Sequence, residues 1–360
     1  TVQVVPDGGE WAAEQEEVEN NYVMTVEDGE RFCAYSDFET AWTEAIPMSK
    51  KRSTTVTLLS DWIAPDKDGD GNGDFYYENS SSSEYGTDKG RLHLATDTID
   101  ITLDLNGHTI NRNLSSSKEH GQVFRIEDGS LTIKDSSEAQ TGKITGGNND
   151  GNGGAFYMDD GSLYLEGGEI SGNKANNGGA VYADNLDDAC VYVNGGKISG
   201  NTASGNGGAI YLENGYLYVD GGEITGNSAA NGAGVYWNSR NAGCFTGGKI
   251  TGNKASGEGG GIYGADWGEI YLGGTVVITG NKQAGNIESN LYLCENEVDI
   301  NHARGQATGV PNKPLTDGAN IGITSVDTYD LISGGDSCFD QGSFGYLHAD
   351  DDHTYYIRSV

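Results

Sequence analysis

The sequence predicts an all-β chain wound as a single-stranded parallel β-helix of about eight coils, three strands to a coil. Three observations carry that prediction: a repeat of 26 to 28 residues, strand-like alternation inside it, and glycine or asparagine at its junctions. The period shows in "GGEISGN" from Gly167, "GGKISGN" from Gly195, "GGEITGN" from Gly221, "GGKITGN" from Gly247 and "GGTVVITGN" from Gly273. A second station reads "GGAFY", "GGAVY", "GGAIY", "GAGVY" and "GGGIY", and a third reads "LYLE", "VYVN", "LYVD", "CFTG", "IYLG" and "LYLC". Leu163 and Leu165 flank Tyr164, as Val191 and Val193 flank Tyr192, so alternate side chains face opposite sides. No segment is long enough for a helix. Three short strands cannot bury their apolar edges alone, but a coil of them can stack on its neighbour.

The elements follow in order along the chain. Residues 1–53 form an N-terminal segment in which "SDFETAWTEAIPMS" predicts a capping helix. Ser36 and Glu39 have capping-box spacing, Phe38, Ala41, Trp42, Ala45 and Ile46 make one face, and Pro47 stops the run. Residues 54–298 form the β-helix, entered at "TTVTLL" and interrupted by a polar insertion over 61–90. "LDLNGHTINRN" from Leu103 matches "LYLEGGEISGN" from Leu163, which carries the frame upstream and sets Ile110 over Ile170. Past about residue 298 the repeat fades, and 299–360 read as closing strands, a C-terminal β cap over an otherwise open edge. At a 4.8 Å interstrand spacing the rod measures on the order of 40 Å.

Composition narrows the partners. The 360-residue chain has 57 glycines, five prolines and a formal charge of -33, which repels nucleic acid and anionic membrane and favours cations, basic surfaces or uncharged glycans. No stretch has the length and apolarity of a membrane span, and the start lacks a basic-plus-apolar leader, so the chain reads as a mature or excised piece. Its five scattered cysteines have neither zinc nor redox spacing, though one disulfide stays open.

Four columns emerge when the repeats are superposed. Asn113, Asn173, Asn201, Asn227, Asn253 and Asn281 predict an internal amide ladder that holds a turn. Lys143, Glu169, Lys197, Glu223 and Lys249 alternate in sign, which favours one register. The aromatics predict two outward ladders: Tyr157, Tyr182, Tyr211, Tyr236 and Tyr263 in one, and Tyr164, Tyr192, Tyr218, Phe245, Tyr271 and Tyr292 in the other. Cross-coil stacking explains such columns, and so does a platform for glycan or protein ligands; the ten tyrosines are the candidate binding residues.

"DKDGDGNGD" sets Asp66, Asp68, Asp70, Asn72 and Asp74 at the spacing of an oxygen-ligand calcium loop, with Gly71 at the turn. Tyr77 stands where an EF-hand needs its bidentate glutamate, so the expected ion is a structural Ca2+ in a shorter extracellular type of loop. A solvated acidic insertion is the alternative.

On these motifs the chain resembles the pectate-lyase-like superfamily of right-handed parallel β-helices and, more closely, repetitive bacterial surface proteins. The GGA-[ILV] element of polymorphic outer-membrane adhesins stands at Gly178–Val181 and Gly207–Ile210, while their FxxN appears here as IxGN. The resemblance implies a right-handed coil, a secreted or cell-surface location, and an adhesin or structural rod that meets a glycan or a host or cell-surface protein. It also implies an alternative, a polysaccharide lyase or glycoside hydrolase; a third reading, which exposed terminal strands in place of caps would support, is a filament subunit that self-associates end to end. A lyase needs calcium carboxylates with an Arg or Lys base, and a hydrolase needs paired aspartates. Asp159 with Asp160, and His120, are isolated echoes, so no catalytic residue is assigned.

Overall fold

The computed structural model describes residues 23–28, 32–36, 38, 40–42, 45, 53–73, 92–94, 100–184, 189–265, 270–294, 298–300, 315–325, 332–334, 347–349 and 357–359. Within them the chain is an all-β parallel β-helix, as the repeat predicts. One coil runs through Ser162–Leu165, Glu169–Ser171, the two-residue strand Lys174–Ala175 and Val181–Ala183 before Cys190–Val193 opens the next. Each strand pairs in parallel with its copy one coil away, Leu163 with Val191, Ile170 with Ile198 and Tyr182 with Tyr211. The copies assemble into a 13-stranded sheet holding the Leu163-type strands, an 18-stranded sheet holding the Ile170-type and Tyr182-type strands, and a 6-stranded sheet holding the short ones. That fourth, short strand is an addition to the three the sequence predicts.

The interior is a set of like-on-like columns. Ile110, Ile144, Ile170, Ile198, Ile224, Ile250 and Ile278 stack in successive coils, all at most 1% exposed. Burial of each isoleucine contributes about 1.5–3 kcal/mol, so the column is a main source of cohesion between coils. Phe124 lies flat on Phe156 at 4.9 Å and meets Trp42 edge-on at 5.8 Å. Phe38, Thr40–Trp42 and Ala45 are helical, with Phe38 stacked on Trp62 at 4.4 Å; Ser36, the expected cap, is a bend residue, and Asp37, Glu39, Thr43, Glu44 and Ile46 lie outside the described residues.

Sequence reasoning missed the antiparallel hairpin Met24–Glu27 and Phe32–Tyr35, which pairs with Thr54–Leu58 at the outer edge of the 13-stranded sheet. Its strands bury Met24, Thr25 and Val26, and Ala34 and Tyr35, without alternation and over only four positions each, too short a pattern to separate from irregular chain. Downstream, Val298–Ile300, Ile332–Gly334 and Ile357–Ser359 continue the parallel ladder past the point where the sequence repeat fades.

The asparagine ladder is real but begins later than the repeat suggests. Asn173, Asn201, Asn227, Asn253 and Asn281 are each 0% exposed. The backbone N–H and the Nδ2 of Asn201 both donate to Oδ1 of Asn227, at 2.9 and 3.0 Å, while the same Nδ2 donates to the Ile170 carbonyl at 2.9 Å. Asn113 is not a member: it is exposed and left-handed (φ 58°), its Nδ2 donating to the Ala64 carbonyl. Gly147 donates instead to Asn173 Oδ1, and a coil intervenes, since Ile144 separates Ile110 from Ile170. At the other end Asn290, unmarked by any repeat motif, accepts from Asn281 at 2.8 and 2.9 Å. It is returned there by the antiparallel pairing of Lys282–Gln283 with Ile287–Glu288.

Candidate functional site: a tyrosine-lined corner

The corner between the Tyr182-type and Leu163-type strands is the part of the coil that varies most in length. The turn is three residues after Met158 and after Leu212, but six after Ala183 and five after Trp237. Strand alternation places one tyrosine ladder on each side of this corner.

The first ladder contains Tyr157, Tyr182, Tyr211, Tyr236, Tyr263 and Tyr292, with successive ring centroids 5.4, 5.1, 4.9, 5.1 and 5.2 Å apart and near-parallel planes. Tyr292 therefore belongs here, in register with Tyr263, and not in the second ladder. The second contains Tyr164, Tyr192 and Tyr218, at 4.4 and 4.9 Å with interplanar angles of 4° and 8°. Phe245 is not part of it. The one-residue difference in register sets Cys244 opposite Tyr218 and buries Phe245 in the core beside Val219, while Tyr271 follows Cys244 one coil on. Repeat alignment could not resolve that shift, because "GCFTG" offers an aromatic at the aligned position and the competing demand for a large core side chain is set by the coil around it.

None of the ten candidate tyrosines is exposed, and Tyr182, Tyr211, Tyr271 and Tyr292 are at most 8% exposed. Ring faces in a column cover one another, so what the ladder offers outward is ring edges and hydroxyls. Burial is the leading cause that raises the phenol pKa values, to about 12 for Tyr157 and Tyr218 and further for Tyr211, where Glu213 adds to it. These phenols are thus neutral hydrogen-bonding groups at physiological pH.

Carboxylates stand two residues beyond the first three tyrosines of this ladder, at Asp159, Asp184 and Glu213. Tyr211 donates to Glu213 at 2.6 Å, and Asn238 bridges to the same carboxylate at 3.2 Å. Asp184 lies between Asp159 and Glu213; burial first, then repulsion from those two neighbours, raises its pKa. Arg125 closes the column at its lower end: its guanidinium sits 5.4 Å from the Tyr157 centroid and pairs with Asp159 at 2.7 Å and Glu127 at 2.9 Å. Asp159 is thereby held by an ion pair and Asp160 by the Gly161 N–H at 2.7 Å, while His120 lies beside Glu119; the structure does not bring these three into one cluster.

In the acidic insertion, Asp66, Asp68 and Asp70 offer oxygens within 4.8 Å of one another, all exposed. Asp66 accepts from Gly69 and Gly71, at 2.7 and 2.9 Å, so the loop curls around its carboxylate. Lys118 pairs with Asp70 and is the leading cause that lowers its pKa. Asn72 is turned inward, its Oδ1 accepting from the Ser115 and Ser116 N–H groups at 3.0 and 3.1 Å, and Asp74 lies outside the described residues.

Strands, columns and sheets together define a β-helical repeat protein built as a rod. Residues 197–213, from Lys197 through the GGA element to Glu213, match the family model of the Chlamydia polymorphic membrane protein repeat. No curated protein and no solved structure matches the chain.

Proposed function

We propose that the chain is a surface-displayed rod of the adhesin kind, secreted or held at a bacterial cell surface, that meets a glycan or a protein partner along its tyrosine-lined corner. The observation that carries this reading is the pair of ladders flanking the corner whose length varies most from coil to coil, from three to six residues. The single repeat matched at residues 197–213 supports the surface location. Because the ring faces are covered, a glycan would be engaged by hydrogen bonds from hydroxyls and carboxylates and not by stacking on a flat ring. Glycan-array and host-cell binding, run beside an assay for reducing-sugar release, tests the reading. Specific binding that is weakened by Tyr211→Ala is the expected result; release of sugar would instead favour the polysaccharide-cleaving alternative, and neither binding nor release would leave a structural rod.

The Asp66–Asp68–Asp70 loop is proposed as a structural calcium site in the same extracellular setting. An ion there must compete with Lys118 for Asp70. Calcium is expected to raise the Tm of the wild type and to leave Asp68→Asn unmoved; equal melting of the wild type in calcium and in EDTA would remove the ion from the account.

A further inference from the structure

Among the described cysteines, Cys33, Cys190, Cys244 and Cys294, no disulfide joins one to another. Among the described residues, neighbouring coils are joined by hydrogen bonds, ion pairs and packing. The second tyrosine ladder holds the groups from which a covalent tie would form. Tyr164 and Tyr192 are the closest and among the most nearly parallel of the stacked tyrosines, at 4.4 Å and 4°, and Tyr192 and Tyr218 follow at 4.9 Å and 8°. All three are only partly buried, so a one-electron oxidant at the surface reaches their edges.

Stacking is the arrangement that radical coupling requires. A phenoxyl radical carries spin on its ortho carbons in orbitals perpendicular to the ring, so the new bond forms between ring faces, after which the joined rings swing open as they regain aromaticity. Two rings held parallel already point those orbitals at one another, and the pairing of Tyr164 with Tyr192 across adjacent strands holds them so.

We propose that Tyr192 is a site of oxidative cross-linking, coupling through an ortho carbon to Tyr164 or Tyr218 and so stapling neighbouring coils. The oxidant is a peroxide acting through a haem peroxidase. Each of the two phenols loses one electron and one proton, a carbon–carbon bond forms between the rings, and hydrogen peroxide takes up those two electrons and two protons to leave as two waters; on rearomatisation the two ortho hydrogens pass as protons to the ring oxygens and restore both phenols. The net change is two C–H bonds and one peroxide converted to one C–C bond and two waters.

The neighbouring chemistry sets the competition. Cys190 stands two residues before Tyr192 on the same face of the same strand, and a thiol there returns a hydrogen atom to the phenoxyl radical. In the first ladder Cys294 stands beside Tyr263, its Sγ 3.0 Å from the hydroxyl, and the central rings are more deeply buried. The staple is thus assigned to the second ladder, and removal of Cys190 should increase its yield.

The test exposes the full chain at low concentration to horseradish-type peroxidase with hydrogen peroxide, in the wild type and in Cys190→Ser. Dityrosine fluorescence on a chain of monomer size, a mass lower by two hydrogens, and a digest peptide joining Tyr192 to Tyr164 or Tyr218 are expected, with a raised Tm. Tyr192→Phe should lose that peptide and the gain in Tm, while Tyr211→Phe keeps both. Cross-links formed only between molecules, or a yield unchanged by Tyr192→Phe, would overturn the assignment.

Discussion

Each buried asparagine in the ladder uses its whole side chain: Asn227 Oδ1 accepts two bonds from Asn201, and its Nδ2 donates to the Ile198 and Thr225 carbonyls and to Asn253. Asn227→Ala leaves several buried backbone groups without partners, so a loss of about 2–4 kcal/mol is expected in chemical denaturation, with amide exchange accelerated at Asn201. Two aspartates give opposite pH signatures. Burial alone would raise the pKa of Asp135, but N–H donors at Gly107, Ser137 and Gly142, at 2.8, 3.0 and 2.6 Å, outweigh it and lower the value. Its stabilisation is full above the unfolded carboxylate pKa of about 3.9 and fades as pH falls through the lower folded value. Asp135→Asn should therefore melt earlier than the wild type at neutral pH and converge with it in acid. At Asp184 the folded pKa is raised, so the charged form opposes folding at neutral pH and that cost disappears as pH falls. Asp184→Asn should melt later at neutral pH and match the wild type in acid. Residues like these divide what the sequence reveals from what it hides. Asn173 to Asn281 were legible because they recur in frame; Asn290 was not, because its role comes from a chain reversal, and Asp184 was not, because its neighbours belong to other coils.

At the scale of the strand, register is the quantity at stake. Lys143, Glu169, Lys197, Glu223 and Lys249 stand opposite one another in successive coils, with Lys143 and Glu169 3.3 Å apart. Single exposed pairs contribute well under about 1 kcal/mol, so the column serves discrimination more than strength. Lys197→Glu places three like charges in a row and should cost about 1 kcal/mol in low salt; thermal melts with added salt should recover most of that difference. Gly207 shows the backbone side of the same control. It adopts φ 68° where the GGA element turns inward, and a Cβ there would stand 2.6 Å from the Ile210 carbonyl oxygen. The repeat made these turns legible, whereas the Cys244–Phe245 shift escaped it, since one residue of slip exchanges inside for outside without altering composition.

Over the whole molecule, the stack of parallel coils has open sheet edges, and the hairpin Met24–Glu27 with Phe32–Tyr35 covers one of them by pairing antiparallel with Thr54–Leu58. A chain beginning after residue 36 should expose that edge and self-associate, which light scattering would detect; a monomeric truncated chain would show the edge is protected in another way. The fold class was legible at this scale because a long run of near-identical coils repeats one message, while the ends carry single-copy elements with no second copy to reveal them. The asparagine column adds a final consequence. Every amide in it donates in the same sense, from Gly147 at one end to Asn290 at the other. Such a column has a polarity but no preferred number of members. Gene duplication of one 26- to 28-residue unit would insert a coil carrying its own donor, acceptor and tyrosine. Length would then be inherited in whole steps of about 4.8 Å, each extending the reach of the rod without redesigning its sides.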